Sequence, residues 1–229
     1  MHTHELHGHF SWCPAQKDKN ASCYCRIAIY LTMATIGLMT ALCQYIAGNY
    51  AGASSPKANA WHRAGDTASD FLVAVIEGVS LKAPRLEKII RQWGAYLQIA
   101  LLVAGTAAIG YEIVAKIIAQ TPVEPLTLML AGIIGLVGDG LRLTLLNLNR
   151  GEWNINRLIQ DKDTRIDLFN AFMVTCAGVV VWLLGLEWID IVASIVIFFF
   201  AVKMTWDACV HTKKEDSSHN HGGHSHHHQ

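Results

Sequence analysis

Apolar residues along this chain come in long blocks separated by short polar stretches. Residues 27–47, 93–118, 126–148 and 188–210 each form a run close to the ~20 residues that cross a bilayer core. Two further segments are mixed. Residues 58–81 are polar in their first half and apolar in their second. Residues 166–184 are apolar but follow a polar run, 154–165, that holds no glycine or proline to stop a helix. A fifth helix starting at about Asn156 is therefore allowed, provided protein covers its polar face. The pattern predicts an all-α integral membrane protein with six transmembrane helices over residues 27–212.

The connectors fit that count. Residues 48–57, Gly-Asn-Tyr-Ala-Gly-Ala-Ser-Ser-Pro-Lys, read as a short loop. Residues 82–91 read as a basic connector holding Pro84, and 120–125 as a tight turn with Pro122 and Pro125. Gly185-Leu186-Glu187 turns the chain into the last helix. Loop charge then sets the orientation. One set of segments holds eleven Lys and Arg: Lys17, Lys19, Arg26, Lys82, Arg85, Lys88, Arg91, Arg150, Arg157, Lys213 and Lys214. The opposite set holds Lys57 alone. This bias places both termini in the cytoplasm, which an even number of spans permits and an odd number does not.

Composition narrows the function. The chain is 52% hydrophobic and 16% charged with zero formal net charge, so it has no basic face for nucleic acid. Six cysteines are spread without a disulfide framework, and Cys43, Cys176 and Cys209 fall inside apolar blocks as small hydrophobes. The polar first 26 residues do not read as a cleavable leader. They carry His2, His4, His7 and His9, then Cys13 and the pair Cys23-x-Cys25. Residues 213–229 carry His219, His221, His224, His226, His227 and His228. Tracts of this composition bind borderline metals weakly.

The candidate chemistry lies in Asp66-Thr67-Ala68-Ser69-Asp70 and its echo Asp163-Thr164-Arg165-Ile166-Asp167. Residues four apart share one face of a helix, and His62 stands one turn before Asp66. Helices 2 and 5 enter from opposite sides. At ~1.5 Å per residue, Asp66 and Asp70 lie roughly 16–22 Å above the inner end of helix 2, and Asp163 and Asp167 roughly 10–17 Å above that of helix 5. The two pairs overlap in depth. Each Asp at a helix centre costs about 2.5–3.5 kcal/mol on insertion scales, so four of them call for a cation or protons. We read Asp66, Asp70, Asp163 and Asp167 as arms of a divalent-metal site. His62 is a further ligand, a proton-relay group or an outer-face residue. The competing reading starts helix 5 at Ile166 and leaves Asp163 beside Lys162 and Arg165 as solvated loop charges. Glu112 with Lys116, and Asp139 with Arg142, are four and three apart and read as pairs within one helix.

These features together resemble the cation diffusion facilitator family of divalent-metal exporters, over about residues 27–210. The resemblance rests on the two Asp-x-x-x-Asp motifs and on Asn156 seven residues before Asp163. It also rests on Gly185-Leu186-Glu187-Trp188-Ile189-Asp190, which is similar to the family's Gly-Trp-x-x-Ala-Asp turn. It implies a proton-coupled antiporter, not an enzyme, that needs no cofactor beyond the transported ion. It further implies a homodimer in the cytoplasmic membrane. Two features depart from the family. Asp163 stands where the family's helix 5 motif usually begins with His, and a short His-rich stretch stands where most members carry a cytoplasmic domain. An all-carboxylate site suits Mn²⁺ or Fe²⁺, whereas the His and Cys tails suit Zn²⁺, Cd²⁺ or Co²⁺; zinc is favoured. The alternative is a membrane metal-binding, sensor or accessory protein that does not transport.

Overall fold

The computed structural model describes residues 24–83, 85, 87–148 and 155–221. Within those ranges the side chains of 24–26, 155–163, 211–221 and some others, Glu77 among them, lie outside the described set. Six helices follow one another: α1 (Tyr24–Ala51), α2 (Ser55–Lys82), α3 (Glu87–Ala119), α4 (Pro125–Leu148), α5 (Ile155–Leu184) and α6 (Trp188–His221). Among the described residues there is no strand. Five of the six contain a stretch long and apolar enough to cross a membrane.

The exception is α2, and its position explains why it can be polar. It packs against each of the other five helices. Its 28 residues span about 42 Å at 1.5 Å per residue, enough to cross a bilayer. The molecule is inside-out relative to a water-soluble bundle. Arg63, Asp139, Asp167 and Asn170 are fully buried, while Leu38, Val103, Leu130, Phe172 and Phe199 face outward. That is the arrangement expected where lipid, rather than water, is the outer solvent. The protein is an all-α membrane protein.

Several helix ends lie further out than the hydrophobic blocks implied. The loop expected over 48–57 shrinks to 52–54, because α1 runs on through Gly48, Asn49 and Tyr50 to Ala51. Gly52 then turns the chain at φ 62. Pro56 does not lengthen that loop. It sits in the first turn of α2, where its missing N–H is no loss. The connector expected over 82–91 is likewise short, since α3 starts at Glu87, and α6 continues its polar end to His221. The open question about helix 5 is answered by a continuous α5 from Ile155 through Asp167 to Leu184.

Close helix approach comes from small residues on α4. Gly132 lies against the backbone of Thr175 on α5, where an added Cβ would sit 2.6 Å from the Thr175 nitrogen. Gly135 and Gly138 admit Gln44 and Thr40 of α1. Without a hydrophobic drive between helices in lipid, such contacts and buried polar bonds hold the bundle. One of these is a cap supplied from a distant helix. The Asp190 carboxylate accepts the Ser54 and Ser55 backbone N–H groups at 2.6 and 2.9 Å. The two serine hydroxyls donate to it at 2.9 and 2.6 Å. Ser54 makes no side-chain cap of its own, so α6 closes the N-terminus of α2 with a negative charge at the positive end of the helix dipole. At the same end, Glu124 accepts the Leu126 and Thr127 N–H groups, and the Thr127 hydroxyl, with these backbone donors, holds its carboxyl below the usual range.

Candidate metal centre

Two helices build the site midway along α2. His62 and Asp66 come from α2 and Asp167 from α5, and one ligand atom from each lies within 4.8 Å of the other two. His62 Nε2 is 3.8 Å from Asp66 Oδ2 and 3.5 Å from Asp167 Oδ1. All three residues are buried, and none of these three atoms has a hydrogen-bond partner. Buried polar atoms are rarely left so. Three of them facing one another form a preformed nitrogen-and-oxygen cradle of the size and chemistry of a divalent ion's inner ligands.

His62 therefore faces the site and does not lie on an outer face. Asp66 and Asp167 meet across α2 and α5, although the rise per residue puts Asp70, and not Asp66, level with Asp167. Asp70 has a different partner. Its Oδ2 accepts from Arg142 Nη2 at 2.9 Å, and Arg142 Nη1 donates to Asp167 Oδ2 at 3.0 Å. Asp163 lies one turn before Asp167 on α5, but its side chain is outside the described residues. The side chains of every histidine in residues 1–26 and 213–229, with Cys13, Cys23 and Cys25, are outside them too. Cys43, Cys176 and Cys209 are free thiols.

Both pairs expected within one helix are replaced by pairs between helices. Asp139 bonds Arg63 of α2 through two contacts of 2.5 Å, with both side chains fully buried. Arg142 reaches Asp70 and Asp167. A planar guanidinium binds a carboxylate best through two parallel bonds, and a facing helix offers that approach. Glu112 pairs with Lys57 at 2.6 Å. Lys116 turns to the chain turns that follow α1 and α3, where Nζ donates to the Gly52 carbonyl at 2.6 Å and to the Thr121 carbonyl and hydroxyl. Lys57, the one basic residue counted for the outer side, is thus neutralised by Glu112.

Arg63 and Arg142 are the site residues that motif reading did not bring out. The available signal was general: an arginine inside a membrane helix needs a carboxylate partner, and Arg63 adjoins His62. Together with Asp66, Asp70, Asp139 and Asp167 they make a buried cluster of four carboxylates and two guanidiniums. With all six of these groups ionised, they carry two net negative charges, the sign that attracts a cation.

Beyond the cluster, Asn59 donates to Gln44 Oε1 at 3.1 Å, and Gln44 donates to the Ala131 carbonyl at 3.1 Å. Asn170, one turn past Asp167 on α5, is fully buried with neither side-chain polar atom bonded. A family model described as the cation efflux transmembrane domain matches residues 28–215, from the first helix into the last. No curated protein matches the chain.

Proposed function

This chain belongs to the cation efflux family, and from that premise we propose that it exports a divalent metal ion from the cytoplasm in exchange for protons. Metal cation efflux across a membrane is what the family does; the metal, the coupling and the sidedness are our reading. The observation that supports it most is the meeting of three unpartnered ligand atoms, on His62, Asp66 and Asp167, in the protein interior. We assign the ion to these three residues, with Asp163 as a fourth arm one turn below Asp167.

The chemistry follows from charge. A cluster two charges negative in a low-dielectric interior takes up either a divalent ion or protons. Metal ligands must be deprotonated to bind, so the two cargoes exclude each other at the same atoms. An inward-open bundle binds the ion. Rearrangement toward the outside exposes the same carboxylates and His62 to protons, which displace it, and the protonated site returns. One imidazole among oxygens favours Zn²⁺ over Mn²⁺ and Fe²⁺, with Cd²⁺ and Co²⁺ as near competitors. The loop charge bias supports cytoplasmic ends in the cytoplasmic membrane, and a homodimer is proposed on family grounds alone.

The test is Zn²⁺ flux into proteoliposomes under an imposed pH gradient, with Asp66→Ala and Asp167→Ala beside the native chain. Flux driven by the gradient and abolished by each substitution is the expected result. Undiminished flux in either variant would overturn the assignment. Saturable binding without any flux would instead make the chain a metal-binding or accessory protein.

A further inference from the structure

The two oxygens of Asp167 are used differently. Oδ2 accepts from Arg142 Nη1 at 3.0 Å, while Oδ1 has no hydrogen-bond partner and lies 3.5 Å from His62 Nε2. The other arm of the same guanidinium holds Asp70 Oδ2 at 2.9 Å. Asp70 stands one turn from Asp66 on the same helix, yet it is absent from the group of facing ligand atoms. What separates the two aspartates is their partner: Asp66 Oδ2 has no hydrogen bond and Asp70 is engaged by Arg142.

We propose that Arg142 is the specificity-determining residue of the ion site, because it withholds Asp70 from the transported cation. The inference rests on the His62–Asp66–Asp167 site proposed above. A guanidinium is never deprotonated in a protein, so it acts as a cation tethered beside the cargo that protons cannot remove. Its fork spans two carboxylates at once, which a lysine ammonium, a compact point charge, does not reproduce. With Asp70 and the far oxygen of Asp167 engaged, the described atoms left for the cargo, beside the Asp163 arm proposed above, are one imidazole nitrogen and one oxygen from each of two carboxylates. That set suits borderline ions such as Zn²⁺ and Co²⁺. Releasing Asp70 adds a carboxylate and a negative charge, which suits harder Mn²⁺. Arg142 is 3% exposed, so its charge acts without a screening layer of water.

The experiment is a competitive titration of Zn²⁺ and Mn²⁺ at fixed pH on the full chain in lipid nanodiscs. The variants are Asp167→Asn, Asp70→Asn, Arg142→Gln and the double Arg142→Gln/Asp70→Asn. Binding lost in Asp167→Asn is the intramembrane site, which separates it from ions held by the histidine-rich ends. Arg142→Gln is expected to tighten Mn²⁺ by about tenfold or more, at the low end of what groups bonded to metal ligands are worth, and to tighten Zn²⁺ less. Adding Asp70→Asn should cancel that gain, and Asp70→Asn alone should shift Zn²⁺ affinity by less than about tenfold, below that same range. A folded Arg142→Gln with unchanged metal preference would overturn the proposal. So would loss of Zn²⁺ binding in Asp70→Asn alone, since Asp70 would then be a ligand. Arg142→Gln strands a buried carboxylate; if it does not fold, Asp70→Asn and the double variant decide. Binding that survives Asp167→Asn would overturn the underlying site instead.

Discussion

His62 Nε2 and Asp167 Oδ1, from residues 105 positions apart in the chain, stand 3.5 Å from each other with no hydrogen bond to either atom. Both are almost completely enclosed. Neither α2 nor α5 alone gives His62 a reason to point inward. Facing each other and Asp66, they make a site whose nitrogen member is as central as its oxygens.

From this relationship comes the first prediction. His62→Ala should weaken Zn²⁺ and Co²⁺ binding by at least the roughly ten- to hundredfold that lesser partners of a metal contribute. It should weaken Mn²⁺ binding less, because an oxygen-only remainder suits the harder ion. Titration of the full chain with each metal, corrected by Asp167→Asn for the histidine-rich ends, reads the difference. Equal losses for all three metals would show that His62 orders the site without ligating.

Arg63 and Asp139 form the other buried charge pair, and it has no free ligand atom to offer an ion. Its oxygens are both engaged by the guanidinium. Removing one member leaves a buried, uncompensated charge, which costs about 3–5 kcal/mol. Asp139→Ala should therefore lower the thermal midpoint of the detergent-solubilised protein sharply. Replacing both members by apolar residues of similar volume, Arg63→Met with Asp139→Leu, should restore most of the loss. If the double variant is as unstable as the single, the pair has a role beyond mutual neutralisation.

How far the amino-acid pattern led can be judged from particular residues. Hydropathy suffices for α1, α3, α4, α5 and α6, whose lipid-facing sides must be apolar whatever lies within. It does not identify α2, which turns its polar face to all five neighbours; only the loops on either side reveal it as a span. The rise per residue puts Asp70 level with Asp167 and Asp66 about one turn further along, yet it is Asp66 whose ligand atom faces Asp167. Asp70 obeys the same spacing and still takes another partner. The reason is Arg142, whose long side chain reaches across to two helices. A local rule pairs it with Asp139 three residues away, but a fork that can satisfy two carboxylates on facing helices outweighs one neighbour on its own. Contacts of that kind depend on which helices adjoin, and this is settled by packing, as at Gly132 against Thr175.

That packing gives a third prediction. A Cβ on Gly132 would lie 2.6 Å from the Thr175 backbone nitrogen and 2.8 Å from its Cα, whereas a Cβ on Gly140 meets nothing within 4 Å. The obstacle at Gly132 is backbone, which cannot rotate away. Gly132→Ala should push α4 from α5 and cost about 1–3 kcal/mol, the usual range for overpacking. Gly140→Ala on the same helix should be tolerated. Thermal midpoints of the two variants, with metal binding as a second readout because α5 carries Asp167, distinguish local crowding from a general effect of alanine on α4.

Asp190 tests whether the N-terminal end of α2 is held from a distance. Four donors of Ser54 and Ser55 converge on its carboxylate, and Ser194 bonds the Ser54 hydroxyl at 2.7 Å. Asp190→Ala leaves two backbone N–H groups of a buried helix start without an acceptor, at roughly 1–3 kcal/mol for each group left unsatisfied. Asp190→Asn keeps one acceptor oxygen but loses the charge opposite the helix dipole, so its cost should be intermediate. Hydrogen exchange should quicken at residues 54–59 and far less in the apolar second half of α2. Since His62 follows within two turns of that end, a loosened α2 should also weaken metal binding in proportion to the exchange rate. An Asp190→Ala protein with native exchange at 54–59 would mean that Ser194 and the adjoining loop suffice to hold the helix, and that the carboxylate does not anchor it.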